Sequence, residues 1–122
     1  MSAHQKKPSH VVRLYKACGY SLAGLRAAFS HEQAFRLEIY LSLIVIPLAI
    51  YLANTATELV LLIGSWLLVM IVELINSAIE ATVDRIGAEQ HELSGRAKDI
   101  GSAAVMISVF FSLFTWLTLL LY

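Results

Sequence analysis

The stretch that most restricts how this chain can fold is residues 59–84. Leu59–Val72 carries no charged residue and runs, without a proline, into Glu73-Leu-Ile-Asn76-Ser77-Ala-Ile-Glu80-Ala-Thr-Val-Asp84. An apolar run of this length reads as a membrane-crossing helix, and its last third then carries polar groups. Glu73, Asn76, Glu80 and Asp84 are three, four and four residues apart, so at about 100° per residue they share a sector of roughly 80°, with Ser77 just to one side. Carboxylates in a bilayer-embedded helix are costly unless they face protein, water or a cation. The line is therefore read as a functional element; the rival reading is a polar seam that only holds helices together.

Composition places the rest of the chain in the same setting. With 58% hydrophobic and 15% charged residues in 122, the chain is more apolar and less charged than ordinary soluble domains, and its length suits a single membrane domain over residues 1–122. The formal net charge is +0, but the signs are unevenly placed. All 9 Lys and Arg residues lie before the first apolar segment (Lys6, Lys7, Arg13, Lys16, Arg26, Arg36) or between residues 84 and 99 (Arg85, Arg96, Lys98). The positive-inside rule then puts the N-terminus and the 84–99 connection in the cytoplasm, and the 54–58 link and the C-terminus outside. An odd number of spans follows, and the apolar segments supply three.

Cys18 is the only cysteine, which excludes an intrachain disulfide and a cysteine metal cluster. Met1–Pro8 is polar with no apolar segment directly behind it, so no cleavable signal peptide is expected and residues 1–8 read as a disordered tail. The basic N-terminal segment reads as a face near anionic headgroups rather than a nucleic-acid arm; no nucleic-acid partner is expected.

From residue 9 to 30, apolar Val12, Leu14, Tyr15, Leu22, Leu25 and Phe29 interleave with Arg13, Lys16, Ser21 and Arg26. This is too polar to span and fits an amphipathic helix lying in the interface. A break near Ser30-His31 is expected, with Ser30 as N-cap and Gln33 completing a capping box. The first span, 32–53, has an apolar core of only about 15 residues against the roughly 20 a bilayer needs, and Pro47 should kink it mildly. After a tight turn at 54–58, the second span covers 58–83. At 1.5 Å per residue from Leu59, Glu73 lies about 21 Å deep, roughly 9 Å from the cytoplasmic edge of a core about 30 Å thick. Residues 85–99 read as a polar loop with Gly87 as helix stop and Ser94 as helix start. The third span, 100–122, opens on Gly101, Ser102, Ala103 and Ala104, small residues that allow close helix approach, and Trp116 and Tyr122 suit its outer end.

Carboxylates and basic groups at the membrane edge suit a divalent cation with a phosphorylated ligand, since magnesium takes one or two protein carboxylates and fills its shell with phosphate oxygens and water. The deepest, Glu73, is placed to take a proton from a lipid hydroxyl, and Glu80 to hold metal. Standard nucleotide signatures are missing. Gly19-Tyr-Ser-Leu-Ala-Gly24 has P-loop spacing but is followed by Leu25, no protein-kinase set is present, and neither His31-Glu32 nor His91-Glu92 has a second His at the position a zinc site needs.

The segment Glu73–Arg85, followed by His91-Glu-Leu-Ser-Gly-Arg-Ala-Lys98-Asp99-Ile-Gly-Ser-Ala-Ala, closely resembles the small prokaryotic diacylglycerol kinase family. Lys16-Ala-Cys-Gly-Tyr20-Ser-Leu-Ala-Gly-Leu-Arg26-Ala-Ala-Phe and Glu32-Gln-Ala-Phe-Arg-Leu-Glu38 are similar to that family's surface helix. The likeness covers roughly residues 11–106, and Cys18 stands where a small residue such as Ala is expected. It implies an all-α integral membrane homotrimer, with three transmembrane helices and an N-terminal amphipathic surface helix per subunit, that uses MgATP to phosphorylate the primary hydroxyl of diacylglycerol to phosphatidic acid.

By matching position, the resemblance makes Glu73 the general base with Asn76 beside it, and has Glu32 and Glu80 hold Mg2+. It puts Arg13, Tyr20, Glu32, Glu80, Glu89, Gln90, His91, Lys98 and Asp99 around ATP. The lipid would lie against Arg13, Ala17, Cys18, Gly19, Tyr20, Ser21, Leu22, Arg26, Ala27, Ala28 and Phe29 of the surface helix. On the first span it would meet Ala34, Phe35, Arg36, Leu37 and Glu38, and beyond them Glu73 and Ser102. The residues alone also allow plainer readings: Glu32 paired with Arg36 four residues on, Tyr20 as an interfacial anchor, Arg13 and Arg26 on headgroups, Glu89 and Glu92 as solvated loop charge, Glu38 snorkelling. Two other functions stay open, an undecaprenol kinase on the same scaffold and a non-enzymatic cation-conducting or structural bundle.

Overall fold

The computed structural model describes residues 5–87 and 91–122, and among them the chain is entirely helical. Residues 5–8 precede the first helix without regular structure, whereas 1–4 of the expected tail fall outside the described residues. Helix α1 spans His10–His31, α2 Gln33–Leu52, α3 Ala56–Ile86 and α4 Glu92–Leu121. The last three are long and apolar enough to cross a membrane.

Local chemistry sets the helix ends. Ser9 caps α1 by accepting from the Val12 amide at 3.3 Å. Thr55 caps α3 by accepting from the Glu58 amide at 3.1 Å, while the Glu58 carboxylate reaches back to the Asn54 amide at 2.6 Å, so both partners of a reciprocal cap close the 54–58 turn. α2 runs through Pro47 as one helix.

Two boundaries differ from the sequence expectation. The α1–α2 break falls at Glu32, which ends one helix and precedes the next with no side-chain cap of its own. Ser30 caps nothing there. Instead Arg36 donates from Nε to the Phe29 carbonyl at 2.9 Å and from Nη2 to the Ser30 carbonyl at 2.8 Å, satisfying the open end of α1 with a cation at the negative end of its dipole. The same guanidinium lies 5.8 Å from the centre of the Phe29 ring, which meets Tyr40 edge-on. Arg36 is thereby taken up by the corner, and no Glu32–Arg36 ion pair forms. The second difference is that α4 starts at Glu92, not Ser94, because the His91 ring accepts from the Leu93 amide at 3.0 Å. Most of the expected 85–99 loop is therefore helix.

The α3–α4 pair forms the main interface, followed by α2–α3 and α1–α2. Leu62 and Val69 of α3 are buried with Ser65, Ser108, Ser112 and Thr115. The Ser112 and Ser65 hydroxyls meet at 3.5 Å, and Trp116 donates to the Leu62 carbonyl at 3.2 Å. The indole thus ties α4 to α3 near the C-terminal end of α4. On the α2 side, Trp66 donates to the Ser42 hydroxyl at 2.8 Å. Small and hydroxyl side chains at the seams are what membrane helices use when lipid removes any hydrophobic gain from association.

Candidate active site

α3 carries the polar line from the packed interior to the exposed edge. Glu73 and Asn76 are 8% and 7% exposed, Glu80 is half-buried, and Asp84 is exposed. Burial within the chain thus falls along α3 from Glu73 to Asp84.

Asn76 donates to Glu80 Oε1 at 3.4 Å, while its own Oδ1 is buried without a hydrogen-bond partner. The amide lies against Gly101 of α4, where a Cβ would collide with Asn76 Oδ1. Gly101 is therefore what lets α4 close over Asn76, as the small residues at the start of the third span lead one to expect.

The tertiary structure adds two carboxylates to this line. Glu32, from the α1–α2 junction, and Glu80 both act on the charge of Glu73, and Glu73 acts in turn on Glu38 of α2. Oε2 of Glu38 is buried and unpartnered. The ion pairs among the described residues are Arg96–Glu92 and Lys98–Asp84, so none of Glu32, Glu38, Glu73 and Glu80 forms an ion pair there.

An all-oxygen donor set outside these ion pairs suits a hard divalent cation. Among the described residues no three His, Cys, Asp or Glu side chains stand close enough to hold a metal by themselves. A hard divalent ion held here would rest on one or two carboxylates and take its remaining ligands from substrate oxygens and water. The residues present fit such an ion.

Beside the carboxylates, α1 and α3 flank a half-open, mainly apolar cavity of about 620 Å³. Ser21, Ala27, Ala28 and Glu32 line it, all of them expected at the lipid or the metal. Gly24, Leu25 and His31 complete the α1 wall, and Leu74, Ser77, Ala78 and Ala81 form the other. The α3 wall was missed because its spacing shows only as a run of small and apolar residues beside the polar line. The Ser77 hydroxyl is buried without a partner.

The remaining expected residues are spread around this centre. Arg13, Ala17, Cys18, Gly19, Tyr20, Leu22, Arg26 and Phe29 are exposed along α1, as are Ala34 and Leu37 at the start of α2 and Ser102 on α4. Phe35 is 2% exposed and packs inside the chain. Lys98 is held by Asp84 at 2.6 Å, Asp99 is exposed, and His91 caps α4. Glu89 and Gln90 lie outside the described residues.

Fold and site together define a multi-pass helical membrane protein with a carboxylate centre that opens beside an apolar cavity. The chain belongs to the prokaryotic diacylglycerol kinase family, which it matches over residues 19–120. It is 57% identical over 108 residues to the diacylglycerol kinase of Escherichia coli K12, covering 88% of each chain. The Haemophilus influenzae diacylglycerol kinase is 53% identical over 103 residues, 84% of this chain and 87% of its own. That of Pseudomonas aeruginosa is 50% identical over 109 residues, 89% of each.

Proposed function

We propose that this protein is a membrane diacylglycerol kinase that moves the terminal phosphoryl group of MgATP to the primary hydroxyl of diacylglycerol, giving phosphatidic acid. The observation that carries the reading is the buried Glu73, with the Asn76–Glu80 hydrogen bond on the next turns of α3 and Glu32 on the wall of the neighbouring cavity, in a chain of this family. Such a centre needs a cation, and phosphoryl transfer supplies one as the magnesium on ATP.

Glu73 is the general base: it takes the hydroxyl proton as the lipid oxygen bonds to the γ-phosphorus and the bond to the departing ADP oxygen breaks. Asn76, bonded to Glu80, fixes that carboxylate beside Glu73. Glu32 and Glu80 hold Mg2+, which when bound neutralises phosphate charge, and Lys98 adds a point charge from the cytoplasmic side. Arg13, Tyr20, His91 and Asp99, with Glu89 and Gln90, complete the nucleotide contacts. The α1–α3 cavity admits the glycerol end of the lipid along Ser21, Ala27 and Ala28, with the other lipid contacts on the outer face of α1 and the start of α2.

The whole chain acts as one domain in the inner membrane, N-terminus in the cytoplasm and C-terminus in the periplasm, as its Lys and Arg placement supports. Val11, Leu14, Cys18, Leu22, Leu25 and Phe29 recur every three or four residues along α1, with Arg13 and Lys16 on the opposite face, which suits a helix lying in the interface. Three copies assemble, the number that the family resemblance implies.

The test is transfer of label from ATP to lipid by purified protein in micelles with magnesium. Label in phosphatidic acid, lost in Glu73→Gln, is the expected result. Label only in undecaprenyl phosphate would change the substrate, and none in either lipid would refute the kinase.

A further inference from the structure

Asp84 ends the polar line of α3 but has no part in the chemistry above. In the structure it is engaged: Lys98 Nζ donates to Asp84 Oδ1 at 2.6 Å, joining the last turn of α3 to the second turn of α4. Lys98 also feels the charge of Glu80, one turn further in. We infer that Asp84 is a positioning residue for Lys98, holding its ammonium at the outer end of the acidic line so that it meets the nucleotide phosphates and stays off Glu80. The inference rests on the kinase reading, in which Lys98 serves the nucleotide and Glu80 the metal.

Three physical points carry it. A lysine is a point charge on a flexible four-carbon stem, and fixing it in one place costs rotamer freedom. An ion pair formed before the nucleotide arrives meets that cost in advance. One of the three ammonium donors is spent on Asp84, which leaves two for phosphate oxygens. Finally, Glu80 is the other carboxylate that Lys98 senses. With Asp84 neutral, Lys98 swings toward Glu80 and competes there with the metal. The pair is exposed, with side chains 42% and 67% accessible, and exposed pairs add little to stability. Folding alone therefore gives it little reason to exist, and variants at Asp84 should fold.

The experiment is a binding cycle on the full chain in micelles without lipid, using a non-hydrolysable MgATP analogue and Asp84→Asn, Asp84→Glu, Lys98→Gln and the Asp84→Asn/Lys98→Gln double variant. Asp84→Asn should weaken analogue binding about five- to tenfold and add less than about twofold once Lys98 is gone. Asp84→Glu should recover most of the loss. In turnover, Asp84→Asn should raise the MgATP KM and the magnesium needed for half-maximal rate, with kcat changed by less than about twofold. Equal losses from Asp84→Asn with and without Lys98 would overturn the inference, as would a fall in thermal stability and kcat with nucleotide binding unchanged, the mark of a mere tie between helices. Wild-type protein that phosphorylates no diacylglycerol would refute the kinase reading by itself, and the binding cycle would still decide Asp84.

Discussion

At the scale of single residues, the site depends on carboxylate and amide oxygens of α3 that form no ion pair. Replacing Glu73 by Gln keeps its size and removes the base. We expect turnover to fall at least about a hundredfold with analogue binding retained, and equal losses in both would refute the assignment. Glu80→Gln should shift the magnesium concentration for half-maximal rate upward; an unchanged metal requirement would remove Glu80 from the metal. Gly101→Val must displace Asn76, so it should cost about 1–3 kcal/mol of stability and most of the activity, read by thermal unfolding in micelles and by turnover. Gly95→Ala meets nothing within 4 Å and serves as the tolerated control. Glu73, Asn76 and Glu80 were legible in the sequence because helical spacing alone puts them on one face. Glu32 and Glu38 were expected near the site only through the family resemblance, since helical spacing within α3 says nothing of how the α1–α2 corner and α2 sit against it.

Among the elements, corners and seams decide the arrangement. The α1–α2 corner depends on Arg36, whose two bonds close the carbonyl end of α1. Arg36→Ala should free that end at about 1 kcal/mol and speed amide exchange across the last turn of α1; exchange like wild type would show that the corner holds without it. The sequence offered Ser30 and Gln33 as a cap for the N-terminus of the next helix; the structure leaves that end without a side-chain cap and instead closes the carbonyl end of α1 with a guanidinium. At the α3–α4 seam, Leu62 is 1% exposed, and Leu62→Ala should cost about 2 kcal/mol, the low end for such a cavity, because surrounding lipid is as apolar as the protein interior. Trp116 was expected as an aromatic anchor at the membrane interface; its bond to the Leu62 carbonyl was not legible, because no local pattern says which way an indole turns on an apolar helix.

For the molecule as a whole, a single chain covers little of its own apolar surface. Leu43, Ile44, Tyr51, Val60, Ile107 and Phe114 are all more than half exposed, which suits lipid and neighbouring copies. The purified protein should have the mass of three chains after the detergent contribution is subtracted; a monomer with full activity would refute the trimer. The sequence by itself determined the number of helices, their apolar spans and the carboxylate line of α3, because apolar run length, end caps and 3.6-residue periodicity act within one segment. Only the tertiary structure decided that Asn76 lies against Gly101, that α1 and α3 flank a half-open cavity, and that Asp84 holds Lys98. Those outcomes depend on the rotation and register of one helix against another. In helices apolar on almost every face, small residues such as Gly101 and buried hydroxyls such as Ser65 and Ser112 set that register through contacts with no local periodic signature.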